Sequence, residues 1–109
     1  MFYKKEIKNY KNPLDGIQFK PLLFGEKMLM TEFLLKKGGM IPVHSHPHDQ
    51  TGYLVSGKIK LYIENKSYIA SPRDSWYIPG NVEHHAEIIE DSIAIEVFSP
   101  VREDYLNQT

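Results

Sequence analysis

Apolar and polar positions alternate along much of this chain with a period of two. The clearest run is Lys58-Ile59-Lys60-Leu61-Tyr62-Ile63-Glu64, which puts Ile59, Leu61 and Ile63 on one face, the mark of a half-buried strand. Asn65-Lys66 reads as a two-residue turn, and Ser67 to Ala70 returns as the hairpin partner. Ser71-Pro72-Arg73-Asp74 turns again, Ser75 to Ile78 is a short strand, and Pro79-Gly80-Asn81 breaks it. His85 to Glu90 and Ile93 to Phe98 read as two strands joined by a turn at Glu90-Asp91-Ser92. Upstream, Lys27 to Leu35 reads as a strand. Its imperfect alternation suits burial on both faces beside a subunit contact. Lys36-Lys37-Gly38-Gly39 is a turn, Met40 to Val43 is extended, and TGYLVSG is a short β-rich run ending at a turn glycine, Gly57. Residues 1–25 are the least regular, broken by Asn12-Pro13, Asp15-Gly16, Pro21 and Gly25; Ile17, Phe19 and Leu22 to Phe24 can pack there as short strands or a flap. No helical period lasts beyond a turn or two. Many short strands at even spacing predict an all-β fold, a jelly-roll-type antiparallel barrel. We expect one domain over 1–109, with its core at about 27–100 and an N-terminal arm over 1–26.

The chemistry concentrates between two of those strands. His44, His46 and His48 lie within GGMIPVHSHPHDQTGYLVSG, followed by Gln50. On an extended strand, residues two apart leave the same face, so His44 and His46 point together. His48 continues that parity on paper, but Pro47 and Asp49 signal that the strand ends there. His84 arrives from a distant strand, after the break at Pro79 to Asn81. Metal sites need donors that converge from separate elements. This layout predicts one divalent metal held by His44, His46, Gln50 and His84. Gln50 also reads as a plain strand-end polar residue, and His48 as an acid/base group at the rim. His85 has the opposite strand parity to His84 and should face outwards. The serines lack a nucleophile-elbow context, which argues against triad chemistry.

Composition removes other options. With no cysteine, thiolate ligands, disulfides and cysteine nucleophiles are excluded together. The formal charge of −1 over 109 residues, with signs interspersed, offers nothing that follows a phosphate backbone, so nucleic acid is not an expected partner. The lysines at 4, 5, 8 and 11 read as a solvated terminus. Residues 1–12 carry charge where a signal peptide needs an apolar core, and no apolar run is long enough to span a membrane, so a cytoplasmic location without membrane attachment is expected.

These residues resemble the cupins. The first cupin signature runs from Gly38 through five residues to His44, one to His46, three to a polar ligand and six to Gly57. The fourth place is usually Glu and here is Gln50. The second signature, a proline-bearing turn followed by His, matches Pro79 to His84, with Asn81 where many members have Gly. Four neutral ligands would leave a bound Zn, Ni, Co, Mn or Fe ion its full charge. That favours Lewis-acid chemistry over oxygen activation. Small cupins commonly form two-fold dimers, and the apolar stretch LLFGEKMLMTEFLL is the expected homodimer surface.

A finer resemblance is to the KdgF-type pectin-degradation cupins. It rests on His48 to Gly57 and on Glu96-Val97-Phe98-Ser99-Pro100-Val101-Arg102 with the tail to Leu106. That group opens unsaturated monouronates to linear keto sugar acids and also has Gln as its fourth ligand. By resemblance, Glu96, Phe98 and Arg102 line the pocket. Glu96 would transfer protons, Arg102 would pair with a substrate carboxylate, and Phe98 would shape the wall. Two departures stand out: Glu96 replaces the usual Asp, and the loop between His46 and Gln50 is one residue shorter. The duller readings are a solvent-facing Glu96 and an Arg102 ion-paired with Glu103 or Asp104. Three function classes follow: a metal-dependent lyase or isomerase acting on a small sugar acid, an Fe(II)-dependent dioxygenase, and a non-enzymatic sugar- or effector-binding cupin with a structural metal.

Overall fold

The structure, a computed structural model, describes residues 1–106, so the last three residues of the expected 1–109 domain lie outside the described residues. Its strands are β1 (Lys11–Leu14), β2 (Ile17–Phe24), β3 (Leu29–Leu35), β4 (Met40–His44), β5 (Asp49–Ile63), β6 (Lys66–Ala70), β7 (Ser75–Ile78) and β8 (His84–Ser99), followed by one helical turn, α1 (Glu103–Leu106). Every pairing is antiparallel. No described helix is long and apolar enough to cross a membrane.

Two long strands organise the fold. β5 and β8 pair along most of their length, from Asp49↔Ser99 to Ile63↔His84. One half of this ribbon, Asp49 to Leu54 against Ala94 to Ser99, joins β3, β2 and β1 on one edge and β7 on the other. The other half joins β4 and β6. The two halves thus belong to two facing layers, which is the jelly-roll architecture expected from the strand pattern.

The bend in the ribbon explains where the sequence was misleading. The expected turns at Gly57 and at Glu90-Asp91-Ser92 are irregularities inside continuous strands. The register shifts between Leu54 and Ile59, and the buried set in β5 changes from Gln50, Gly52 and Leu54 to Ile59 and Leu61. An even-numbered face thus becomes an odd-numbered one, as an extra bulge residue requires. Gly57 sits at φ 94°, and a Cβ there would overlap Ser92 Oγ and the Asp91 carbonyl. Only glycine meets both demands. Ser92 Oγ accepts from Lys58 N at 3.0 Å and donates to Glu90 O at 2.7 Å, satisfying backbone groups that the bulge leaves unpaired. A smaller shift concerns the hairpin turn, which is Glu64-Asn65 rather than Asn65-Lys66, with Glu64 at φ 54°.

The hydrophobic core also draws on β2, within the expected N-terminal arm. Ile17 and Phe19 of β2 are buried with Phe33, Leu35, Leu54, Ile59, Ala70, Ile88 and Ala94, and Tyr105 packs on the cluster from the far end of the chain. β3 alternates cleanly, with Leu29, Thr31, Phe33 and Leu35 inward. Within the single chain it is therefore covered on one face only, whereas the sequence pattern suggested two. Met30 on its outer face is 37% exposed.

Candidate metal centre

Three histidines meet at one end of the barrel. His44 closes β4, His84 opens β8 as its registered partner, and His46 lies in the loop before β5. One ring nitrogen from each falls within 4.8 Å of the others. β4 ends at His44 and a loop carries His46, so the two histidines converge without sharing the strand expected of them.

That loop is tied to the second motif. Asp49 Oδ1 accepts from Gly80 N at 2.9 Å, and Asn81 N donates to His46 O at 2.7 Å. Asn81 adopts φ 67°. Asparagine tolerates this left-handed region better than most residues, which accounts for Asn where a glycine is usual. The Pro79–Asn81 turn therefore holds the loop bearing His46 in place.

Each imidazole is oriented from behind by a backbone carbonyl. His44 Nδ1 lies 2.8 Å from Pro42 O, His84 Nδ1 2.8 Å from Val82 O, and His46 Nδ1 3.1 Å from His48 O. A carbonyl only accepts, so the proton sits on Nδ1 and the Nε2 lone pair is free. His84 Nε2 is buried without a hydrogen-bond partner among the described residues. Burial lowers the pKa of His46 and takes that of His84 down to about 4, and the Arg102 charge adds to both effects. Both rings are thus neutral near pH 7, as metal ligation demands.

Gln50, buried on β5, completes the group. Its Nε2 donates to Glu96 Oε1 at 3.0 Å, leaving Oε1 turned to His46 Nε2 at 3.0 Å. With His46 protonated on Nδ1, two lone pairs face one another there. A cation beside them relieves that opposition. The orphaned His84 nitrogen and this Gln50–His46 pair both fit a divalent ion. The donor set is three imidazoles and an amide oxygen, the same residues singled out in the sequence.

Glu96 lies one hydrogen bond further in. It is buried, its Oε1 accepting from Gln50, and Trp76 Nε1 donates to Oε1 at 3.0 Å and to Oε2 at 3.2 Å. Desolvation raises its pKa to about 8, against the two hydrogen bonds, which pull it down. The reading of Glu96 as a solvent-facing residue is therefore set aside. Phe98, 1% exposed, meets His46 edge-on with ring centroids 5.7 Å apart. Arg102 lies over Phe98 at 5.1 Å and Tyr105 at 3.9 Å, while its guanidinium pairs bidentately with Asp104 at 2.7 and 3.2 Å. Arg102 thus lines the cavity and is ion-paired with Asp104. His44, Gln50, Trp76, His84, Glu96, Phe98, Arg102 and Tyr105 share one interior cavity.

Neither His46 nor His48 is among the residues lining that cavity, and their rings lie 5.6 Å apart. The chain leaves the strand before Pro47, so the strand parity expected to carry through His48 does not continue, and the His48 carbonyl orients His46. His85, expected to face outwards, stacks on Tyr62 with centroids 4.0 Å apart and also contributes to the cavity lining. Sequence reasoning missed Trp76, Gly52 and Tyr105. A glycine inside a strand marks a close approach, and that signal was present at Gly52.

Comparison with known proteins agrees with this geometry. Residues 31–99 match the cupin domain model. The chain is 31% identical over 94 residues to the pectin degradation protein KdgF of Dickeya dadantii (strain 3937), covering 84% of this chain and 86% of that protein. The structure of KdgF from Halomonas sp. superposes with a TM-score of 0.89 at 29% identity, covering 95% of this chain and 98% of that one. An RmlC-like cupin from Shewanella frigidimarina NCIMB 400 gives the same TM-score at 28% identity, covering 95% and 94%. The chain belongs to the cupin family and is a homologue of KdgF.

Proposed function

We propose that this protein is a metal-dependent cupin enzyme that opens the ring of an unsaturated uronate or a closely similar small sugar acid. The observation that carries the reading is a buried, protonatable carboxyl, Glu96, held by Gln50, which itself borders a three-histidine cluster. His44, His46, His84 and Gln50 would hold one divalent ion, whether Zn, Ni, Mn, Co or Fe. Such an ion supplies Lewis-acid polarisation of the oxygens bound to it.

The protein's own groups account for the remainder. Opening a cyclic 4,5-unsaturated uronate removes the proton of the anomeric hydroxyl and breaks the bond from the anomeric carbon to the ring oxygen. A proton is then added to the carbon–carbon double bond of the released enol. No atom is gained or lost overall, so one group that gives and takes a proton is enough. With its pKa near 8, Glu96 holds a proton at neutral pH and is suited to that exchange. Arg102 at the cavity mouth would exchange Asp104 for the substrate carboxylate. Phe98 and Tyr105 would exclude water from the reacting carbons.

The test is to load the purified protein with each metal in turn and follow loss of the conjugated double bond of an unsaturated monouronate by ultraviolet absorbance. Turnover by wild type and its loss in Glu96→Gln support the reading. No turnover with any metal, or full activity in Glu96→Gln, contradicts it. Oxygen uptake with substrate would point instead to a dioxygenase, and binding without turnover to an effector-binding cupin.

A further inference from the structure

Trp76, Gly52 and Glu96 stand side by side on β7, β5 and β8: Gly52 is the registered partner of Trp76 on one side and of Glu96 on the other. Side chains on alternate strands of a sheet do not normally meet, because the residue between them is in the way. Here a Cβ at Gly52 would overlap both Trp76 Nε1 and Glu96 Oε1. The space left by the glycine is occupied by the indole–carboxylate hydrogen bond itself, at 3.0 and 3.2 Å. Two residues along β5 on the same face is Gln50, and Glu96 Oε1 accepts its amide N–H. The link from the indole to the histidine cluster is thus continuous: Trp76 to Glu96, Glu96 to Gln50, Gln50 to His46.

We propose that Trp76, admitted by Gly52, is a positioning residue that fixes the Glu96 carboxyl, which in turn fixes the amide of Gln50 so that Oε1 points to the metal position. This rests on the reading that Gln50 and the histidines hold a metal. An unrestrained glutamine amide turns freely and presents nitrogen or oxygen alike. Anchoring its N–H on a carboxyl oxygen that already accepts from Trp76 selects the amide oxygen for the metal position, and that carboxyl needs its own anchor. The indole N–H donates and never accepts, so it cannot reverse the polarity of the chain.

The test uses Co(II) alone as probe, reading affinity by chelator competition and ligand geometry by visible absorption. Wild type is expected to bind one Co(II), and Trp76→Phe, which keeps the ring and removes the donor, to bind it 10- to 100-fold more weakly with an altered spectrum. In a Gln50→Ala background the same substitution is expected to change affinity less than about 2-fold, because the residue it acts through is gone. Unchanged affinity and spectrum in Trp76→Phe, or equal weakening in both backgrounds, overturns the positioning role and leaves the metal reading intact. No Co(II) binding by wild type overturns the metal reading itself. A second measurement needs no substitution at Trp76. The chain has one tryptophan, so one indole N–H signal in NMR, which is expected to move on adding Zn(II) to wild type and to stay in place in Gln50→Ala. A signal that ignores Zn(II) in wild type that has bound the ion overturns the proposal.

Discussion

Gln50 donates its side-chain amide to Glu96 at 3.0 Å, both groups being buried. This bond makes the glutamine more than a neutral substitute for the glutamate usual at that position. A carboxylate at position 50 would face a carboxyl across the same distance, and like charges so close cannot both ionise. Gln50→Glu is therefore expected to match wild-type stability near pH 5, where the pair shares a proton. Towards pH 9 its melting temperature should fall well below wild type. Parallel thermal melts of the metal-free proteins decide this.

The raised pKa of Glu96 also makes stability depend on pH in wild type. Its value moves from 4.5 to about 8 on folding, so the folded state holds the proton more tightly. The associated stability is fully present below pH 4.5 and is lost as pH rises through 8. Glu96→Gln removes that dependence. Metal-free Glu96→Gln is expected to be more stable than wild type at pH 9, by a few kcal/mol. Near pH 5 the two should be alike in denaturant titrations. His84 acts in the opposite sense: its value is lowered from 6.5 to about 4, so its contribution is present above 6.5 and is lost as pH falls through 4.

In turnover the same substitution is expected to reduce kcat by about 10²- to 10⁴-fold, the usual worth of a positioned acid/base group. Both proteins are compared fully loaded with metal, because Glu96 also anchors the amide of Gln50. Arg102→Ala is expected to raise KM more than it lowers kcat, because it removes a carboxylate partner rather than a proton carrier. Steady-state kinetics on both variants separate the roles.

Asn81, at φ 67°, holds the His46 carbonyl through its backbone N–H. Asn81→Ala is expected to cost about 1 kcal/mol, from placing an ordinary side chain in the left-handed region. Asn81→Gly should fall within about 0.5 kcal/mol of wild type. Chemical denaturation of both variants measures the difference.

The outer face of the larger layer carries Met30, from the stretch expected to form the homodimer surface, with Tyr53, Val55 and Tyr77 beyond it, all exposed in the single chain. Such a sheet face is commonly covered in an oligomer. The protein is expected to run as a dimer at micromolar concentration, and Tyr53→Glu to shift it towards monomer, by sedimentation velocity. A wild-type monomer would count against the homodimer.

Much of this was legible in the sequence, for reasons that can be named. Clean period-two alternation located the Lys58 to Glu64 part of β5, β-rich runs between turn residues located β3, β6 and β8, and motif spacing gathered His44, His46, Gln50 and His84. The bends at Gly57 and Ser92 were misread as turns because glycine and polar residues mark both. Only the partner strand distinguishes a bulge from a chain reversal. Gly52 and Trp76 escaped because their role lies across three strands, which no spacing along one strand records. Tyr105 escaped for a related reason: a short irregular terminus carries little periodicity even where tertiary packing half-buries it.

The central claim is the metal, and elemental analysis of the purified protein beside His84→Ala tests it most directly. The expected result is about one divalent Zn, Ni, Mn, Co or Fe per chain in wild type, lost in the variant while the fold is retained by circular dichroism. No metal in wild type, either as purified or after reconstitution with each ion, would contradict the account and leave the histidines to contact a ligand directly.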